Sequence, residues 1–163
     1  MFRPGEKIVY GRTGVCLVEE IECWKGQDYY VLKPLFQSCC IKLPVNGKAF
    51  MRPIVSGAEA DALIDAMPAI EPRLCESRAP REITEFYQTF LANRSCRDLV
   101  ELTVSLHAKR REAREGKRKF GVVDERILKE GEALLFGELA SALSIPMADV
   151  PGYIENRLGP EAE

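Results

Sequence analysis

The 163-residue chain has no run of eighteen apolar residues, one histidine, one tryptophan and, among six cysteines, no C-x-x-C pair. Without a long apolar run it offers no membrane-spanning helix. The N-terminal "MFRPGEK" also lacks the apolar core of a signal peptide. We therefore expect neither membrane insertion nor secretion, and a cytoplasmic site of action. A chain of this length, with 46% hydrophobic residues, needs no disulfide staples, so Cys16, Cys23, Cys39, Cys40, Cys75 and Cys96 read as reduced. Cys39 and Cys40 are adjacent and on a strand would face opposite ways. No set of ligands converges on a tetrahedral metal site, and no metal or cofactor is expected.

Catalytic signals are equally sparse. His107 stands beside a basic run with no serine or cysteine partner in sequence and reads as a solvated helix position. Gly11 and Gly14 in "YGRTGV" precede a strand rather than a helix, which excludes a phosphate loop and makes them turn residues. Glu19, Glu20 and Glu22 alternate along a strand and read as a solvated edge rather than an acid/base pair. Nucleophile, base and oxyanion site do not assemble, so the chain is not expected to be an enzyme.

What is present is an uneven charge. The net charge is −2, yet Lys109 to Lys119, "KRREAREGKRK", carries seven basic and two acidic residues, leaving the remainder at −7. Such a segment can meet a polyanion or serve as a solvated helix end and its loop.

Residues 1 to 55 read as short strands separated by turns. Lys7 to Tyr10, Val15 to Glu22, Asp28 to Leu35, Ser38 to Leu43 and Met51 to Val55 carry period-two or β-branched patterns. Lys25, Gly26 and Gln27 form one turn and "PVNGK" another. Five strands in so few residues predict a small, partly open SH3/Tudor-like β barrel, because a flat sheet would leave two faces and two edges exposed. From Ser56 the period changes to helical. Ser56 and Glu59 form a capping box, and Pro68 stops the first helix. Pro80 opens a second helix with Ile83, Phe86, Tyr87, Phe90 and Leu91 on one buried face. A third starts at Ser95, buries Leu99, Leu102, Val104 and Leu106, and ends near Gly116. A fourth runs from about Asp124 to Pro146, with Ile127, Leu128, Leu134, Leu135, Leu139 and Leu143 apolar, and a short fifth covers Pro151 to Leu158. The expected fold class is α+β: a barrel over residues 1–56 and an all-α helical bundle over 57–163.

A barrel can bind a partner by adding a strand to its edge, and helices with a basic rim can hold DNA phosphates. The combination "F-x-x-GEKIVY", "GV-x-x-VEEIE", "YYVLK", "IKLPV" and "MRPIVS" resembles the RNA polymerase interaction domain of the CarD family of bacterial transcription regulators, shared with transcription-repair coupling factors. "DERILKEGEALLFGELASAL" is similar to the late helix of that family.

The resemblance implies docking on the RNA polymerase β subunit through an edge strand. Lys42 would take the place of the family's basic side chain before "LP", Cys40 and Ile41 would line the same edge, and Trp24 would sit in the neighbouring turn. Trp24 also fits a turn aromatic or a barrel lid. The resemblance further implies contact between the helical part and promoter DNA at the upstream edge of the melted bubble. The candidate phosphate contacts are Arg78, Arg81, Lys109, Arg110, Arg111, Arg114, Lys117, Arg118, Lys119 and Arg126. Family members carry a tryptophan early in the helical part that wedges against the opened base pair; here "LCESRAP", Leu74 to Pro80, has no aromatic. Three readings follow: a regulator of promoter open complexes, a polymerase-binding adaptor or competitor without the DNA step, or a barrel of another kind with no polymerase link. An edge strand without its partner can also pair with itself and give a homodimer.

Overall fold

The computed structural model describes residues 2–159. Five strands come first: β1 (Lys7–Tyr10), β2 (Gly14–Trp24), β3 (Gln27–Pro34), β4 (Ile41–Pro44) and β5 (Met51–Pro53). They form one antiparallel sheet in the order β4-β3-β2-β1-β5. The two ends of that order, β4 and β5, do not pair with each other, so the sheet does not close into a barrel.

The period of two decides which side chains meet. Ile8, Cys16, Val18, Tyr30 and Leu32 form an apolar cluster, with Ile41 and Leu43 packed against it. Between Val18 and Glu20 the β2–β3 register shifts. This bulge lets Val18 and Ile21, three positions apart, serve the same cluster. The eleven-residue β2 pairs with β1 from Gly14 to Leu17 and with β3 from Cys16 to Trp24. At the far end, Lys25 and Gly26 both have positive φ, 50° and 76°, as a two-residue hairpin turn matched to strand twist requires.

The helices follow as α1 (Gly57–Ala66), α2 (Pro80–Leu91), α3 (Cys96–Glu115), α4 (Val122–Leu143) and α5 (Val150–Leu158). The Ser56 hydroxyl accepts the Glu59 N–H at 3.1 Å, and the Glu59 carboxylate accepts the Ser56 N–H at 3.2 Å. Pro68 does not end the helical path at once; a 3-10 turn over Met67–Ala69 follows α1. The connection after it is pinned: Arg73 N–H donates to Ser105 Oγ at 2.8 Å and Cys75 N–H to the Tyr87 hydroxyl at 3.3 Å. Ile83, Tyr87, Phe90 and Leu91 of α2 are buried as expected, but Phe86 is 38% exposed. Its ring packs edge-on to Tyr87 instead of entering the core. Val104 is likewise only partly buried. Helix α4 begins at Val122, two residues before the expected start, and ends at Leu143, where Ser144 adopts a left-handed conformation before Pro146 is reached. The α5 residue Arg157 binds Asp65 of α1 through two bonds of 2.7 and 2.9 Å.

Sheet and helices share a contact surface on α4. Gly14 takes φ 91°, a conformation that disfavours any side chain, and a Cβ there would lie in tight contact, 3.3 Å from Leu134 Cδ2. The Arg12 guanidinium grips the Glu130 carboxylate at 2.6 and 2.7 Å. The strongest link is buried. Arg52 on β5 donates through both terminal nitrogens to Glu138 on α4, each at 2.7 Å, and also to the carbonyl and side-chain oxygens of Asn93. Asn93 takes φ 59° between α2 and α3 and donates to the Gly11 carbonyl at 3.0 Å.

Candidate functional site: a free sheet edge and a basic helix end

Strand β4 pairs with β3 and with no other strand among the described residues, so its outer backbone edge is unpaired. Such an edge presents N–H and C=O groups that another chain can complete. The strand is shorter than the sequence pattern predicts, starting at Ile41 rather than Ser38. Cys40 therefore lies just outside it and is exposed. Ile41 turns its side chain toward the sheet cluster and its backbone groups toward Leu32 of β3, so by alternation the N–H and C=O of Lys42 are the ones that face outward.

Lys42 is opposite Val31, which is opposite Glu20, so these three share the face away from the cluster. Across β3, Lys42 Nζ reaches Glu22 Oε2 at 2.9 Å. The hydrogen bond from Lys42 holds the Glu22 carboxyl below its ordinary pKa, and the same bond raises that of Lys42. Both side chains remain open to water, so the pair orients Lys42 more than it stabilises the fold. Glu22 is the partner that alternation alone leaves unassigned: register, not sequence distance, brings it over β3.

Trp24 ends β2 at the hairpin tip and is 59% exposed. Its ring meets Tyr29 edge-on at 6.4 Å, and the Lys25 ammonium sits 4.5 Å from its centre. Tyr29 is opposite Pro44 of β4. The tip aromatic and the free edge thus belong to adjoining strands of one sheet.

The basic residues separate into two groups. Arg111, Arg114, Lys117, Arg118 and Lys119 are exposed at the end of α3 and in the following loop. The helix ends with Lys117 at φ 54°, while the Arg118 N–H donates to Ala113 O at 2.7 Å and the Lys117 N–H to Arg114 O at 3.1 Å. This double closure satisfies the last carbonyls, with a lysine at the position glycine usually takes. It places consecutive cations where the helix dipole is negative. Lys109 and Arg110 differ. Lys109 Nζ lies 2.8 Å from Asp124 Oδ2 and 3.4 Å from the Cys75 carbonyl. Arg110 lies over Phe120, 5.7 Å from its centre, and donates to His107 Nδ1 at 2.9 Å.

His107 is therefore bonded rather than simply solvated. A guanidinium can only donate, so Nδ1 must be the acceptor and Nε2 carries the hydrogen toward Glu132 of α4. Arg78 and Arg126 are exposed. Arg81 pairs with Glu85 one turn along at 3.2 Å, on a fully solvated face where such a pair is easily exchanged.

Among the described residues no group of three His, Cys, Asp or Glu side chains is placed to hold a metal ion. No single helix there is long and apolar enough to cross a membrane. What the geometry offers is binding: an unpaired strand edge with an oriented lysine and an aromatic tip. Residues 2–55 match the family model of the CarD-like/TRCF RID domain, and the match spans all five strands and stops before α1. These residues carry a CarD-like RNA polymerase interaction domain. No curated protein matches the chain.

Proposed function

We propose that the chain is a CarD-like transcription regulator that docks on the RNA polymerase β subunit through β4 and modulates promoter open complexes. In this reading residues 1–56 act as the Tudor-like docking domain and 57–163 as a helical domain that contacts DNA. The observation that carries it is the unpaired edge of β4 within the segment that matches the polymerase interaction domain. The backbone N–H and C=O of Lys42 supply the pairing, its ammonium adds charge recognition, and Trp24 is the aromatic anchor. Arg111, Arg114, Lys117, Arg118 and Lys119 are the phosphate contacts, flanked by Arg78, Arg81 and Arg126. Lys109 and Arg110 contribute by holding the ends of α3 and α4 in place.

The test is capture of the β subunit by the purified chain. Lys42→Glu abolishes capture with the fold intact; undiminished capture removes the docking reading. For DNA, affinity for a forked promoter fragment falls steeply with salt, and Arg118→Ala with Lys119→Ala lowers the slope by roughly two phosphate contacts.

A second reading is an adaptor or competitor that keeps docking and lacks the DNA step. The absence of any tryptophan after Trp24 favours it, because no indole in the helices can stack where a base has left. A flat salt response together with intact β-subunit capture selects this reading.

A further inference from the structure

The free edge has a chemical feature that docking does not use. Cys39 and Cys40 are adjacent, both exposed, and lie in a segment outside any strand or helix immediately before β4. Two thiols on neighbouring residues are held close by the chain itself, so the second meets the first at high effective concentration. Lys42 is two residues beyond Cys40. A thiolate is the reactive form of cysteine.

We propose that Cys39 and Cys40 form a reversible thiol–disulfide site that controls the β4 edge, with low-molecular-weight disulfides as its substrates. The Cys40 thiolate attacks one sulfur of the small disulfide; a new S–S bond forms and one thiolate leaves with the bonding electrons. The Cys39 thiolate then attacks Cys40 Sγ, closing a ring between neighbours and expelling the second thiolate. Two cysteine thiols are oxidised and one small disulfide is reduced to two thiols. Cys16 does not compete. It senses Cys39, but it is fully buried, and burial pushes its thiol up to about 11.

The ring is strained by construction. Neighbouring Cα atoms are about 3.8 Å apart, shorter than the range of about 4.4–6.8 Å that disulfides prefer. A strained disulfide is readily reduced, which suits a switch. The strain also has a direction. Ile41, the next residue, pairs with Leu32, so distortion of the 39–40 peptide acts on the first rung of β4.

The effect on docking rests on the proposed function; the chemistry does not. The experiment treats the full reduced chain with glutathione disulfide and follows intact mass and peptide mapping, with exposed Cys23 as an internal reference. The expected product has lost two hydrogens within the 39–40 peptide, formed faster than Cys23 is capped. Cys39→Ser instead retains one glutathionyl group on Cys40. A stable glutathionyl group on Cys39 or Cys40 in the parent chain, or reaction no faster than at Cys23, overturns the proposal. In parallel, β-subunit capture drops at least tenfold on oxidation and returns with dithiothreitol, while Cys39→Ser with Cys40→Ser binds regardless of redox state. Equal capture before and after ring closure overturns the control of the edge. Ring closure in a reduced chain that never captures the β subunit overturns that control and counts against docking itself, while the thiol chemistry stands.

Discussion

Arg52 and Glu138, 86 positions apart, face each other through two hydrogen bonds of 2.7 Å in a site where the carboxylate side chain is 1% exposed and the guanidinium 11%. The same carboxylate accepts the Val55 N–H at 3.0 Å, at the exit from the sheet. Three polypeptide segments, β5, the α2–α3 turn and α4, are therefore held by one arginine. If β4 and the end of α3 act on different partners, this clamp sets the angle between them.

Removing one member leaves a buried charge without its partner. Arg52→Ala is expected to cost about 3–5 kcal/mol in urea unfolding. Arg52→Met combined with Glu138→Leu recovers part of that loss, because no charge then remains buried although the Val55 N–H and the Asn93 oxygens lose their partners. A loss below about 1 kcal/mol for the single variant would show that the pair is not the clamp described.

Lys109 and Arg114 are both basic residues of α3 and should behave in opposite ways. Asp124 is 5% exposed in its side chain, and its second oxygen has no hydrogen-bond partner among the described residues. Lys109→Ala thus strands a half-satisfied carboxylate and is expected to destabilise by about 3 kcal/mol. Arg114→Ala is expected to shift stability by no more than about 0.5 kcal/mol while weakening DNA binding. Thermal melts and a salt titration of both variants separate the structural cation from the proposed phosphate contact.

Two helical glycines make a controlled pair. A Cβ on Gly131 would lie 2.8 Å from Leu102 Cδ2, and Leu102 is fully buried and cannot retreat. Overpacking of about 1–3 kcal/mol then outweighs the helix-propensity gain of up to about 1 kcal/mol. At Gly152 nothing lies within 4 Å, so Gly152→Ala is expected to gain about 0.5 kcal/mol. Melting temperatures that rise equally for both would contradict the packing of α3 against α4.

Alkaline pH should weaken the fold before it damages the chain. Burial pushes the Cys16 thiol from 9.0 to about 11 and the Tyr87 phenol from 10.0 to about 12, and it raises the Cys96 thiol as well. The unfolded chain releases these protons first, so stability is fully present below pH 9 and declines as pH rises through the native values. The slope is on the order of 1 kcal/mol per pH unit for each such group. Urea midpoints between pH 8 and 11 measure it, and Cys16→Ala should make the decline shallower between pH 9 and 11. A flat profile for the parent chain would rule out this account of the buried thiols.

The elements most legible in the sequence are those with local causes. β1 is Lys7–Tyr10, as the pattern around "KIVY" requires. The Ser56–Glu59 box opens α1 and Ser95 caps α3, because a hydroxyl three residues from a waiting N–H needs no tertiary help. Less was legible where neighbours intervene. Phe86 has the spacing of a core residue, but Tyr87 and Phe90 fill the face it would enter. β4 begins late, since Ser38 to Cys40 have no pairing partner on β3. Closure of the sheet could not be read at all, because strand count does not say whether the two ends meet.

Alternation, helical period and capping residues determined by themselves that five strands precede five helices, that a turn follows Trp24, though Gln27, expected in it, opens β3, and that a basic run ends the third helix. These depend on neighbours a few positions away, and a sequence states its own neighbours. Tertiary structure alone decided that Lys42 is held by Glu22, that Lys109 answers Asp124 rather than solvent, and that Arg52 locks the sheet to α4. The partners of Lys42 and Lys109 stand 20 and 15 positions away and that of Arg52 stands 86 away. Which of many carboxylates a cation meets is settled only when strand register and helix packing bring one of them within a few ångströms, and no local pattern encodes that meeting.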